Sequence, residues 1–162
     1  MRWIMRKEFE IAYTKADEVL KKMNYSNKDM IRTASVIDTV EDLLNIDIRF
    51  ADYDFSKITS NKKNLDVSNY GAAMCVSTRD KKKFATILIN EKETSQMKRF
   101  SLVHELGHLM TQSLDDFKDY QISTHIDMNI TSIPDEVLNK TKNKFLIKEQ
   151  TANIFALLVL IP

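Results

Sequence analysis

The 162-residue chain is poor in several features, and each scarcity excludes a class of protein. A single cysteine, Cys75, rules out an internal disulfide and fits a reducing cytosol. Because 24 basic residues stand against 23 acidic ones, the net charge of +1 gives no strong field to gather nucleic acid or a membrane surface. The longest apolar run, "IFALLVLIP", is far shorter than the roughly 20 residues of a membrane-spanning helix. Composition and length predict a soluble, single domain over residues 1–162.

Apolar periodicity predicts an α+β fold. Four segments have helical spacing: about 8–23, Ser26 or Asn27 to about Leu44, Thr94 or Ser95 to about 112, and 148–161. Three segments are predicted as strands: 46–50, 71–77 and 84–90, the last two forming an antiparallel hairpin. Two polar segments, 52–70 and about 113–148, are predicted as loops, and the second is long enough to suggest a function.

Two of the three histidines lie four residues apart in the stretch "HELGH". Positions i and i+4 share one face of an α-helix, so His104 and His108 can both turn an imidazole toward one zinc ion. Glu105 points about 100° around the helix axis and can reach a water molecule on that ion. Zinc lowers the pKa of such a water, and the glutamate of an HExxH motif takes its proton. The alternative is a helix face with polar tips near the surface, for which the glutamate and the helical context would be coincidental.

Gly107, inside this motif, is one of only two glycines in the chain. In a helix interior a glycine costs about 1 kcal/mol relative to alanine. The glycine therefore indicates a close approach by another element beside the histidines, unless it is merely tolerated there.

A catalytic zinc site needs a third protein ligand and one open position. The metzincin spacing does not supply it, because Thr111 and Leu114 stand where that motif has Gly and His. His125 is one candidate, although a surface histidine is the simpler interpretation. Glu149 is the better candidate, and Asn153, one turn later, is placed to orient a ligand. From the residues alone, a metal-binding Glu149 and a solvent-exposed carboxylate favoured by the helix dipole are equally supported.

Two blocks of the sequence resemble the ImmA/IrrE family of metallo-endopeptidases: "ATILINEKETSQMKRFSLVHELGHLM" and "EQTANIFALLVLIP". The resemblance is specific over about residues 71–112 and 149–162, looser for the N-terminal helices, and absent over 113–148. One departure is Ile161, where the family usually has Met before the final Pro. Many members continue past this Pro, so we expect either a short member or a chain that lacks a C-terminal extension.

The resemblance implies a minimal zincin-like fold, with the active-site helix beside a small antiparallel sheet. It implies zinc ligands His104, His108 and Glu149, with Glu105 as the general base. Family members are cytosolic and cleave helix-turn-helix transcriptional repressors, which derepresses mobile-element or stress-response genes. We therefore expect a cytoplasmic zinc endopeptidase that acts as an anti-repressor, with an extended substrate segment paired to the strand at 84–90.

Two rival functions stay open at this stage. A zinc-containing module could control a repressor by binding without cutting it. Nucleic-acid binding draws on the lysine runs at 81–83 and 140–144, but the near-neutral charge and the lack of a DNA-reading motif leave it the least supported. No membrane partner is expected, and the sequence does not predict an oligomeric state. Tyr70, Tyr120 and His125 are eligible by chemistry alone to stabilise an oxyanion.

Overall fold

The computed structural model describes residues 2–26, 30–57, 71–114, 121–123 and 140–162 of the chain. These residues form an α+β fold, as predicted. The helices are α1 (Arg2–Lys22), α2 (Thr33–Leu44), α3 (Ser95–Thr111) and α4 (Lys140–Leu160), with a short 3-10 turn at Phe55–Lys57. The strands are β1 (Ile46–Tyr53), β2 (Ala72–Arg79), β3 (Lys82–Asn90) and β4 (Gln121–Ser123).

The four strands make one mixed sheet in the order β1-β3-β2-β4. β2 and β3 form the predicted antiparallel hairpin, with Arg79 opposite Lys82. Its two-residue turn, Asp80 and Lys81, has φ angles of 50° and 65°, the left-handed conformation of hairpin turns whose twist matches the strands. Alternation along β3 buries Ala85, Ile87 and Ile89 on the face that packs on the helices, as their spacing predicts.

The position of β3 in the sheet corrects one expectation. β1 pairs with β3 in parallel on one side, and β2 pairs with it on the other. Both edges of β3 therefore bear ladder hydrogen bonds, and an extended substrate segment cannot add to it. Within the described ranges, the outer strands are β1 and β4, and β4 covers only Ala72–Met74 of β2.

α3 is enclosed by the rest of the fold. It packs against α4 on one side and against β2 and β3 on the other, and every residue from 101 to 110 is buried. A helix surrounded in this way carries apolar residues around its whole circumference, so the polar residues among them need partners inside the protein. The buried polar residues of this stretch are Ser101, His104, Glu105 and His108.

Four predicted boundaries differ from the structure. α1 begins at Arg2, about six residues before the predicted start. α2 begins at Thr33, so a cap at Ser26 is wrong, and Asn27 lies outside the described residues. β1 runs on to Tyr53 and the 3-10 turn follows, so the predicted loop begins later than residue 52. α4 begins at Lys140, eight residues before the predicted start. The predicted left-handed stop at Asn45 is confirmed, with φ 50° and ψ 54°.

Across the parts of the chain that the structure describes, no helix combines the length and apolarity that crossing a membrane would require.

Candidate metal centre

α3 presents the histidine pair to the interior. The Thr94 side chain caps its first turn by accepting a hydrogen bond from the Met97 backbone N–H at 3.3 Å, one of the two predicted caps. His104 and His108, one turn apart, are each only 2% exposed. Their rings lie edge to face with centroids 4.6 Å apart, and Phe100 packs beside the His104 ring. The alternative of a polar helix face near the surface is therefore wrong.

α4 supplies a carboxylate to the same point. Because α4 begins at Lys140, Glu149 lies well inside the helix and not in its first turn. The residue is 3% exposed, so the solvent-exposed carboxylate favoured by the helix dipole is also wrong. Glu149 is instead brought against both histidines of α3.

The three side chains converge through their ligand atoms. His104 Nε2 and His108 Nε2 are 3.0 Å apart, and each lies 3.2 Å from one oxygen of Glu149. Tetrahedral zinc with bonds of roughly 2.0–2.1 Å would hold its ligand atoms about 3.3 Å from each other. The spacing of this triangle therefore fits a single metal ion, and the group could hold one.

Asn153 fixes the proton on one of these rings. Its Oδ1 lies 2.8 Å from His104 Nδ1, and since an amide oxygen only accepts hydrogen bonds, the Nδ1 of His104 carries the proton. The Nε2 of a neutral His104 then turns a lone pair toward the Glu149 carboxylate. The 3.2 Å contact therefore needs a positive charge between the two atoms, which either a second proton on the ring or a bound metal ion would supply.

The ionisation of Glu149 also suits a cation site. Burial alone would raise its pKa, but hydrogen bonds from His104 and His108 outweigh burial and lower the pKa from 4.5 to about 2. Those bonds need a proton on each Nε2, whereas Asn153 places the proton of His104 on Nδ1. With the His104 proton on Nδ1, a bound metal ion would stabilise the Glu149 carboxylate. Whether hydrogen bonds or a metal ion stabilise it, Glu149 is negatively charged at neutral pH.

Glu105, also on α3, is not one of the three residues of the triangle. Its side chain is fully buried at 0% exposed, although it follows His104 directly in the chain. A buried carboxylate with no metal-ligand position of its own is an unusual residue to keep in a core, because desolvation of the charge costs free energy. A catalytic role beside the metal would explain its presence.

Gly107 allows the two helices to approach. A Cβ added at this position would lie 3.0 Å from the Ala152 carbonyl oxygen and 3.0 Å from Phe155 Cδ1 on α4. The close approach predicted from the sequence is confirmed, and the approaching element is the helix that carries Glu149.

Replacing Gly107 tests how much the close approach of α3 and α4 contributes to the stability of the fold. We expect Gly107→Ala to destabilise the fold by up to about 2 kcal/mol, because overpacking against a backbone oxygen costs about 1–3 kcal/mol and the helix-propensity gain offsets about 1 kcal/mol of it. Urea unfolding measures the difference. The matched control is Gln96→Ala, at an exposed position of the same helix, which should shift stability by less than about 0.5 kcal/mol. A more stable Gly107→Ala would show that the helices have room to separate.

Sequence reasoning missed one residue that contacts the centre. Gln112, the residue that ends α3, places its side-chain amide against His108 Nδ1. Its spacing of i+4 from His108 is the signal that could have found it. His125, Tyr70 and Tyr120, considered above as a ligand or as oxyanion donors, lie outside the described residues.

A histidine pair from one helix and a carboxylate from a second, within a small α+β fold, define a metallopeptidase of the minimal zincin-like class. The family model described as the IrrE N-terminal-like domain, a peptidase family, matches residues 44–162, and the chain belongs to this family. The resemblance drawn from the sequence motifs is thereby confirmed. No curated protein and no solved structure gives a significant match to the chain.

Proposed function

We propose that this protein is a zinc-dependent endopeptidase that hydrolyses a peptide bond in a helix-turn-helix transcriptional repressor. The observation that carries the proposal is the buried triangle of His104, His108 and Glu149, with Glu105 buried directly after His104 in the same helix. Membership of a metallopeptidase family supports the same reaction class.

The donor set supports zinc as the metal. Two imidazole nitrogens and one carboxylate oxygen are the ligands of many catalytic zinc sites, which keep a fourth position open for water or substrate. Calcium and magnesium prefer oxygen ligands in larger numbers, which this triangle does not offer. His104, His108 and Glu149 would hold the ion, with Asn153 keeping the His104 ring in its ligating tautomer.

The reaction assigns one task to each residue. A bound zinc ion would act as a Lewis acid toward the peptide carbonyl and increase the acidity of a water molecule beside it. Glu105 takes the proton of the attacking water as the carbon–oxygen bond forms, and it then delivers that proton to the leaving nitrogen as the carbon–nitrogen bond breaks.

The repressor substrate and a cytoplasmic location rest on the resemblance to the ImmA/IrrE family. A protein substrate must lie extended across the centre, and β3 has no free edge to receive it. Pairing would have to use an outer strand, and the edge of β2 beyond its three residues paired to β4 is one such place among the described residues.

Cleavage of a repressor is tested by its products. We expect the zinc-loaded protein, incubated with a helix-turn-helix repressor encoded beside its gene, to yield two fragments whose masses sum to the substrate plus one water. Mass spectrometry measures both fragments, and a chelator added before mixing should abolish them. An intact repressor that co-elutes with the protein would instead support the binding module that regulates without cutting.

A further inference from the structure

Gln112 contacts His108, the ligand histidine for which the sequence analysis predicts no orienting partner. The residue lies at the C-terminal end of α3, where its backbone N–H donates to the His108 carbonyl oxygen at 3.1 Å. Its side chain folds back over the same turn, so that the amide meets His108 Nδ1. Main chain and side chain of Gln112 are thus both held by His108.

The orientation of the amide follows from the role of the other ring nitrogen. His108 Nε2 faces His104 Nε2 at 3.0 Å and Glu149 at 3.2 Å, so Nε2 is the nitrogen that must keep a lone pair for a metal ion. A neutral imidazole then carries its proton on Nδ1, and only an acceptor can satisfy it. Of the two ends of the Gln112 amide, only Oε1 accepts.

The buried surroundings of Gln112 agree with that orientation. With Nε2 of the amide against the ring, Oε1 is buried and has no hydrogen-bond partner among the described residues. The oxygen and nitrogen of an amide are distinguished by their hydrogen bonds and not by their shape. Turning the amide by 180° gives Oε1 the Nδ1 proton of His108 and moves the NH2 group to the buried position that Oε1 held.

We infer that Gln112 is a positioning residue that holds His108 in its metal-binding tautomer, as Asn153 does for His104. The inference rests on the proposed metal site and extends it to a residue outside the HExxH motif. Both orienting groups are then neutral amides, one from α4 and one from α3 itself. A neutral acceptor orients the ring without adding a second buried negative charge to that of Glu149.

The test compares two substitutions of similar shape in the full chain. Gln112→Met keeps the length of the side chain and removes the acceptor, and we expect its zinc dissociation constant to rise about 10–100-fold. Gln112→Glu restores an acceptor at the same place and should bring zinc affinity back to within about threefold of wild type. Competition against a chelator at constant pH measures both values, and the absorption spectrum of the cobalt-substituted protein reports the ligand geometry.

Two controls separate positioning from packing. In the presence of chelator, the melting temperatures of both variants should stay within about 2 °C of wild type, since the role belongs to the metal-bound state. Thr111→Val, beside Gln112 but bonded only to the Gly107 carbonyl oxygen, should leave zinc affinity unchanged. Wild-type zinc affinity in Gln112→Met, or equal losses in Met and Glu variants, would overturn the inference while leaving the metal site intact. A wild-type chain that binds no zinc would overturn both.

Discussion

The Glu105→Gln variant is expected to bind one equivalent of zinc and to cleave its repressor about 10²–10⁴-fold more slowly than wild type. The amide has the shape of the carboxylate but cannot take a proton from water, and general-base catalysis contributes a factor of that size. Zinc affinity should change little, since Glu105 is not part of the ligand triangle. Single-turnover cleavage followed by mass spectrometry, beside a chelator titration of zinc, measures the two quantities independently.

Stability distinguishes this loss from misfolding. Glutamine has nearly the volume of the fully buried glutamate, so the zinc-free Glu105→Gln variant should still unfold in one cooperative transition, and its melting temperature beside that of wild type measures any loss of stability. Glu91→Gln, at an exposed glutamate in the turn before α3, is the matched control and should retain full activity. Undiminished proteolysis by Glu105→Gln would remove this residue from the reaction and leave the base unassigned.

Zinc is expected to raise the melting temperature of the chelator-treated protein by about 8–16 °C. Free zinc at 1,000 times its dissociation constant stabilises a native state that alone binds it by about 4 kcal/mol. In a domain of this size each kcal/mol corresponds to roughly 2–4 °C. The gain has a local cause, because the ligand atoms of His104, His108 and Glu149 already converge on one point where an ion would bind all three.

The ligands provide the controls for this second result. His104→Ala and Glu149→Ala each remove one corner of the triangle, and neither variant should show the rise at the same zinc concentration. Calorimetric scans with and without zinc make the comparison. An equal rise in the Glu149→Ala variant would place the metal away from α4 and contradict the proposed third ligand.

The parts of the site that the sequence predicted are those set by local geometry. His104, Glu105 and His108 share one helix, and their relation follows from 3.6 residues per turn. The same holds for Glu149 and Asn153 on α4. Whether α3 and α4 contact each other depends on tertiary packing, which local spacing does not predict. The residues alone therefore leave the role of Glu149 undecided, and it is the family resemblance that favours a metal ligand.

The start of α4 shows why the rest of the site was harder to predict from the sequence. Residues 140–147 place lysine, threonine and asparagine first and three apolar residues in succession afterwards, a pattern without helical periodicity. The stretch is nonetheless helical from Lys140, as the start of the helix that packs on α1 and α3. A predicted start near residue 148 left Glu149 in the first turn, where an exposed carboxylate is common.

The sheet order is likewise not encoded locally. Residues of β3 alternate as a strand should, and nothing in that pattern tells which strands flank it. The parallel neighbour, β1, is separated from β3 by the 3-10 turn and all of β2 along the chain. This long-range pairing makes β3 a central strand, although a free edge was expected for it.

The division of the metal ligands between α3 and α4 sets an order of events during biosynthesis. The histidine pair leaves the ribosome about 40 residues ahead of Glu149, which at 5–20 residues per second is a delay of several seconds. A nascent chain in that interval contains both imidazoles of the triangle but not the Glu149 carboxylate. The group of three ligands is therefore complete only after α4 has been synthesised, and before then no metal ion can be held by all three.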